Sequence, residues 1–239
     1  SSKPWERMRC LPVKRLCVPR TRRDSSGHLR KRDMGALIKI CGIRRSEDAD
    51  YINEAKPDYA GFIFWDKSFR YVDLETALRL RAKIDPCIRT VAVFVDESRE
   101  RIIETVKSGA VSVVQLHGSE DEIYIRKLKE ELPDNTEIWK AYKIRSAEDI
   151  AAAEASAADE ILLDNGYGTG ECFDHKLLGD GSGLSRRFIL AGGMRPDNIA
   201  EAIKKFNPYM IDISSGVETD KYKDKDKMIR AVEACRSCR

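Results

Sequence analysis

From Leu37 onward the chain alternates short β-branched runs with helical patterns, and this alternation leaves few folds open to it. Runs at 37–41, 59–64, 90–95, 111–117, 137–143, 160–164, 187–193 and 209–215 read as eight strands. Each is short, rich in Val, Ile, Phe and Tyr, and bounded by turn residues, as strands buried on both faces are. Ser46, Asp73 and Ser98 stand where a side-chain oxygen would accept from the free N–H groups of a first helical turn, and Pro196-Asp197 opens a further helical pattern. SAEDIAAAEASAA follows the fifth strand and DKMIRAVEAC the eighth. Eight strand–helix units in about 200 residues predict an α/β protein, a single-domain (β/α)8 barrel over residues 37–239. An open doubly wound sheet would need a glycine-rich turn after its first strand, and CGIRRSED is not G-x-G-x-x-G.

Residues 1–36 lack any helical or strand period and read as a disordered basic extension. Residues 1–33 carry eleven Lys/Arg against three Asp/Glu, more than the whole net charge of +3, so the barrel is mildly acidic. Its charge therefore gives no reason to expect a nucleic-acid partner. A transit peptide is one reading of the extension, but its acids and missing amphipathic period favour an upstream segment ahead of a natural start at Met34. No apolar run approaches the roughly 20 residues that span a bilayer, so a soluble cytoplasmic protein without a membrane partner is expected. Seven cysteines in no regular framework point to a reducing compartment and free thiols. Cys235 and Cys238 form a CxxC, but without a second pair or a βαβ context it suggests neither a redox centre nor zinc.

In such a barrel, chemistry sits where strands end. Those ends supply Cys41-Gly42, Arg70, Asp96, Gln115 and His117, Tyr142, Asp164, Gly192-Gly193 and Ser214-Ser215-Gly216. Cys41 and Asp164 are lone ionisable side chains closing apolar strands. A cysteine there is a small hydrophobe, a metal ligand or a proton carrier; no His or second Cys stands nearby at zinc spacing, which argues against a metal. As a general base near neutral pH, a thiol of ordinary pKa about 8.5 needs a modest downward shift from neighbouring dipoles. Gly168-Thr169-Gly170, Gly192-Gly193 and Ser214-Ser215-Gly216 are loops of small residues that let backbone N–H groups converge on a phosphate. Tight turns would explain any one of them, but three at adjacent barrel positions favour an anion site.

At these residues the chain resembles the phosphoribosylanthranilate isomerase family of tryptophan biosynthesis, from Leu37 to about Ala234. The resemblance rests on KICG (39–42), GFIFWDKSFRYV (61–72), VAVFV (91–95), VVQLHG (113–118), LLDNGYGTGECFD (162–174), ILAGGMRPDNI (189–199) and DISSGVE (212–218). It implies an Amadori rearrangement of N-(5-phosphoribosyl)anthranilate by general acid/base catalysis, with no cofactor or metal. It further implies Asp164 as general acid, Cys41 as general base, Arg70 as the group holding the anthranilate carboxylate, and a monomer or homodimer. Two departures stand out. Glu171 replaces a usual Lys, which leaves the phosphate more dependent on backbone N–H groups, and Phe69 replaces a usual Pro, which bears on the aim of Arg70. Gln115 and His117 match the family and are expected to support the loops. A related isomerase of histidine biosynthesis would carry Asp in place of Cys41. An inactive barrel binding RNA through its basic arm would show salt-dependent binding lost with residues 1–33.

Overall fold

The computed structural model describes residues 35–164 and 184–238. The proposed basic extension (residues 1–34 of it) and Gly168, Thr169, Gly170 and Glu171 lie outside the described residues. All eight expected strands are present as β1 (Leu37–Cys41), β2 (Tyr59–Ile63), β3 (Arg89–Phe94), β4 (Val113–Leu116), β5 (Glu137–Lys143), β6 (Glu160–Asp164), β7 (Phe188–Ala191) and β8 (Met210–Ile213). They form a closed barrel in chain order, every neighbouring pair parallel, with β1 returning to β8 through Leu37↔Met210 to Ile40↔Ile213. This is a (β/α)8 barrel, and all strands end on the same rim.

The two-residue period of a strand sorts its side chains between two cores. Ile38, Ile40, Phe62, Phe94, Leu116 and Ile211 point outward and are buried under the helices. Tyr59, Val91, Val113, Trp139, Leu162, Ile189 and Met210 fill the interior, where Tyr59 meets Trp139 edge-on at 5.0 Å between ring centres. At the amino-terminal rim Arg89 pairs with Glu137 at 2.6 Å and Arg187 with Glu160, so charges close the end opposite the strand tips.

The helices are α1 (Ser46–Ala55), α2 (Leu74–Lys83), α3 (Arg99–Lys107), α4 (Glu122–Glu131), α5 (Ala147–Glu154), α6 (Ile199–Phe206) and α7 (Lys225–Ser237). The segment after β6 falls outside the described residues. Asp73 and Ser98 accept from Thr76 N and Arg101 N as expected. Ser46 does not cap α1: Asp48 reaches back to Arg44 N and Arg45 N, both at 3.0 Å, while Ser46 Oγ accepts from Lys83 Nζ. The helix begins at Ser46 itself, so the cap position falls one residue earlier, on Arg45. Asn198, one residue past Pro196-Asp197, precedes α6; its side chain accepts from Arg195 N and donates to Gly193 O at 3.0 Å, tying the helix start to the loop after β7. A small hairpin, β9 (Glu218–Thr219) with β10 (Tyr222–Lys223), separates β8 from α7; Asp220 and Lys221 turn it with φ of 51° and 65°.

Among the described residues Cys41, Cys235 and Cys238 are free thiols, and Cys87 is exposed on the turn between α2 and β3. Cys235 is core filler in α7, its Sγ donating to Ala36 O at 3.0 Å, and burial pushes its thiol up to about 12.

Candidate active site

Cys41 ends β1 and shares the barrel interior with Lys39, two residues earlier on the same face. A Cβ at Gly61 of β2 would lie 2.8 Å from Cys41 Sγ and 3.1 Å from Lys39 Cε, so the glycine is what lets thiol and ammonium stem lie side by side. Lys39 is fully buried, and its Nζ donates at 2.8 Å to Asp212 Oδ2, its register partner on β8. Burial disfavours the ammonium, yet Asp212 and Cys41 outweigh it and hold Lys39 above its ordinary pKa. Burial also pushes the Cys41 thiol up, opposed by Lys39 and Lys223 and assisted by Asp212. The net shift is opposite to the one a base near neutral pH would need, because desolvation outweighs the neighbouring cations. Asp212 Oδ1 is buried without a hydrogen-bond partner. Lys39→Met should therefore lose about 3–5 kcal/mol of stability in urea unfolding, since it strands a buried carboxylate. A loss below about 1 kcal/mol would show that the pair contributes only its packing.

Arg70, from the loop after β2, crosses this centre. Gly42 has φ +85°, and Arg70 Cδ packs where a Cβ would be, 2.6 Å from that position. Its Nε and Nη2 each donate at 2.7 Å to the carboxylate of Glu218, which also accepts from Lys223 Nζ at 2.8 Å. Burial acts to raise the Glu218 pKa, but Arg70 and Lys223 outweigh it and hold the carboxyl below its ordinary value. Glu218 thus fills the Nε–Nη2 edge of the guanidinium fork. Phe69 lies under the guanidinium, 4.2 Å from ring centre to Cζ, and so supports Arg70 despite departing from the usual Pro. Lys223 also donates to Ser214 O at 2.9 Å, and Ser214 Oγ donates to Cys41 O at 3.0 Å, so the β8 loop is bonded to the strand that carries the thiol.

Two of the three small-residue loops are packed together. Gly192 and Gly193 take φ of 84° and 64°, conformations that favour glycine. Gly216 lies so close to Met194 O that a Cβ would collide with it. Ser215 and Gly216 belong to a short 3-10 turn, Ser215–Val217, directly after Ser214.

Asp164 ends β6, pairing in register with Lys143 and Ala191. Its Oδ2 is 3.3 Å from His117 Nε2, the two side chains being 20% and 29% exposed, so water can reach both. Of the other strand-end residues, Asp96 (φ 50°) accepts from Ser119 N and Oγ, and Tyr142 donates to Glu122, so both brace loops. Lys39, Asp212, Glu218 and Lys223 are site residues that strand ends alone do not reveal. A charge interrupting the apolar runs LIKIC and YMIDISS was the available signal for the first two. Among the described residues, no group of three or more His, Cys, Asp or Glu is placed to hold a metal ion.

A (β/α)8 barrel with ionisable side chains on its carboxyl-end rim has the layout of a barrel enzyme. The family of N-(5'-phosphoribosyl)anthranilate (PRA) isomerases matches residues 38–234, and the chain belongs to that family. The PRA isomerase of Endomicrobium trichonymphae is 43% identical over 205 residues, covering 84% of this chain and 98% of its own length. That of Acetivibrio thermocellus is 44% identical over 200 residues, covering 80% and 91%. The crystal structure of the Thermotoga maritima enzyme superposes with a TM-score of 0.75 at 33% identity, covering 84% of this chain and 99% of that one. A PRA isomerase in complex with reduced 1-(o-carboxyphenylamino)-1-deoxyribulose 5-phosphate superposes with a TM-score of 0.73 at 32% identity, with the same coverage. The activity is PRA isomerisation, a step of tryptophan biosynthesis.

Proposed function

We propose that Asp164 and Cys41 divide the proton transfers of an Amadori rearrangement between them. Asp164 protonates the ring oxygen of the ribofuranose, and the C1–O bond breaks to give a Schiff base with the anthranilate nitrogen. Cys41, as thiolate, then removes the C2 proton, and the resulting enolamine tautomerises to 1-(2-carboxyphenylamino)-1-deoxyribulose 5-phosphate. One observation carries the reading: both groups face inward on the same rim of a closed parallel barrel, on strands separated by β7 and β8. The Lys39 ammonium beside Sγ favours the thiolate, working against burial. Gly168, Thr169, Gly170, Gly192, Gly193, Ser214, Ser215 and Gly216 hold the 5'-phosphate, and the chemistry needs neither metal nor cofactor. No helix among the described residues is long and apolar enough to cross a membrane. We place the enzyme in the cytoplasm as a monomer or homodimer, its partner a small-molecule substrate and neither nucleic acid nor membrane. Adding the purified chain to PRA should abolish the substrate's anthranilate fluorescence; absence of turnover would overturn the reading.

Arg70 holds the anthranilate carboxylate through its Nη1 side, with Glu218 fixing the opposite edge. Arg70→Ala should cost about 1.5–3 kcal/mol of substrate binding, the weight of a hydrogen bond to a charged group. Arg70→Lys should recover only part, because an ammonium cannot serve Glu218 bidentately and the substrate at once. An analogue lacking the carboxylate should bind parent and variant equally; continued discrimination against it by Arg70→Ala would remove this assignment.

A further inference from the structure

A carboxylic acid that protonates a substrate must carry its proton on the oxygen facing that substrate. Beside Asp164 stands a group able to decide which oxygen that is. His117 Nε2 lies 3.3 Å from Asp164 Oδ2, and its other ring nitrogen, Nδ1, lies 3.1 Å from Gln115 Nε2. With Gln115 Nε2 as the donor, an arrangement that leaves Gln115 Oε1 buried without a hydrogen-bond partner, Nδ1 accepts and the ring proton resides on Nε2, toward Asp164. We infer that His117 is a positioning residue for the acid: its Nε2–H donates to Oδ2, the transferable proton is confined to Oδ1, and Gln115 holds the imidazole in that tautomer.

This inference rests on Asp164 being the general acid. A neutral carboxyl has one hydroxyl and one acceptor oxygen, so a donor held at Oδ2 makes Oδ2 the acceptor. Once the proton has left, the same N–H faces a carboxylate and bonds it more strongly, which favours the transfer. A contact of 3.3 Å in the free enzyme has room to tighten when substrate binds.

The surrounding bonds keep this pair in place. Gln115 is 1% exposed and sits in register between Val93 of β3 and Trp139 of β5. His117 N donates to Phe94 O at 2.8 Å. The next residue is clamped from both sides, Gly118 O accepting from Lys140 Nζ at 2.6 Å and Gly118 N donating to Glu120 Oε2 at 3.0 Å. Lys140 and Glu120 themselves pair at 2.8 Å, both nearly inaccessible. This buried ion pair thus fixes the backbone that carries the imidazole.

The test is two-part and uses the full chain. In protein labelled with 15N at histidine, whose three histidines are His28, His117 and His175, the signal that disappears in His117→Gln belongs to His117. It should report protonated Nε2 and bare Nδ1 at neutral pH; a protonated Nδ1, in either the other tautomer or the imidazolium, would overturn the inference. In kinetics, His117→Ala should lower kcat about ten- to a hundred-fold with little change in KM. His117→Gln, whose amide nitrogen reaches about as far as Nε2, should recover most of that loss. Full turnover in the Ala variant, or equal impairment in Ala and Gln, would also overturn it. Failure of the underlying role of Asp164 looks different: an active Asp164→Asn enzyme with the His117 tautomer unchanged.

Discussion

Cys41→Ala is expected to lower kcat by roughly two to four orders of magnitude, the usual weight of a general base, while KM moves little. The side chain is only 6% exposed, so the rival role as core filler has to be excluded by stability as well as rate. Removing one buried sulfur should cost about 1 kcal/mol of folding free energy, far too little to empty the folded state. The pH dependence separates the two roles further. Burial raises the thiol pKa and the reactive form is the thiolate, so the reactive population grows as pH rises through neutrality. That rising dependence of kcat/KM on pH should be missing from the Ala variant. Cys41→Ser should be nearly as slow, because a hydroxyl keeps the shape but ionises far less readily than a thiol. Near-normal turnover in the Ala variant, with its pH profile unchanged, would return Cys41 to the core.

The barrel was legible because its signal is local. Each strand is a short apolar run set between turn residues, and a parallel barrel repeats that unit until it closes. Cys41 and Asp164 were legible for a related reason, since an ionisable side chain ending an apolar strand lies on the rim. What escaped depends on distant partners. Glu218 meets Arg70 across 148 positions of sequence, and no spacing rule connects them. Lys39 and Asp212 lie within strands, and recognising them as a pair requires knowing that β1 and β8 close the barrel in register. The direction of the Cys41 shift was not legible, because the degree of burial that raises it emerges only from packing. The cap of α1 differs for a simpler reason: Ser46 fits the usual pattern, but the helix begins at Ser46 itself and the cap position falls on Arg45.

Asp164→Asn should also cost roughly two to four orders of magnitude in kcat, and its pH profile should identify the missing group. In the parent enzyme the productive form needs a protonated Asp164 and a deprotonated Cys41, so kcat/KM should rise and then fall with pH. The fall arises because Asp164 loses its proton. An amide cannot lose that proton, so the Asn variant should keep the rise and lose the fall. Asn is nearly isosteric and can still accept from His117, so the rim should keep its shape, and thermal unfolding should lie within a few degrees of the parent. A slow Asn variant that retains the falling limb would assign that limb to another group and remove Asp164 from the role of acid. A fast one would mean that the ring oxygen receives its proton elsewhere. The placement of Asp164 argues against both outcomes: it is the carboxyl that closes β6, it is partly open to water, and it faces an imidazole whose far side is already bonded to Gln115.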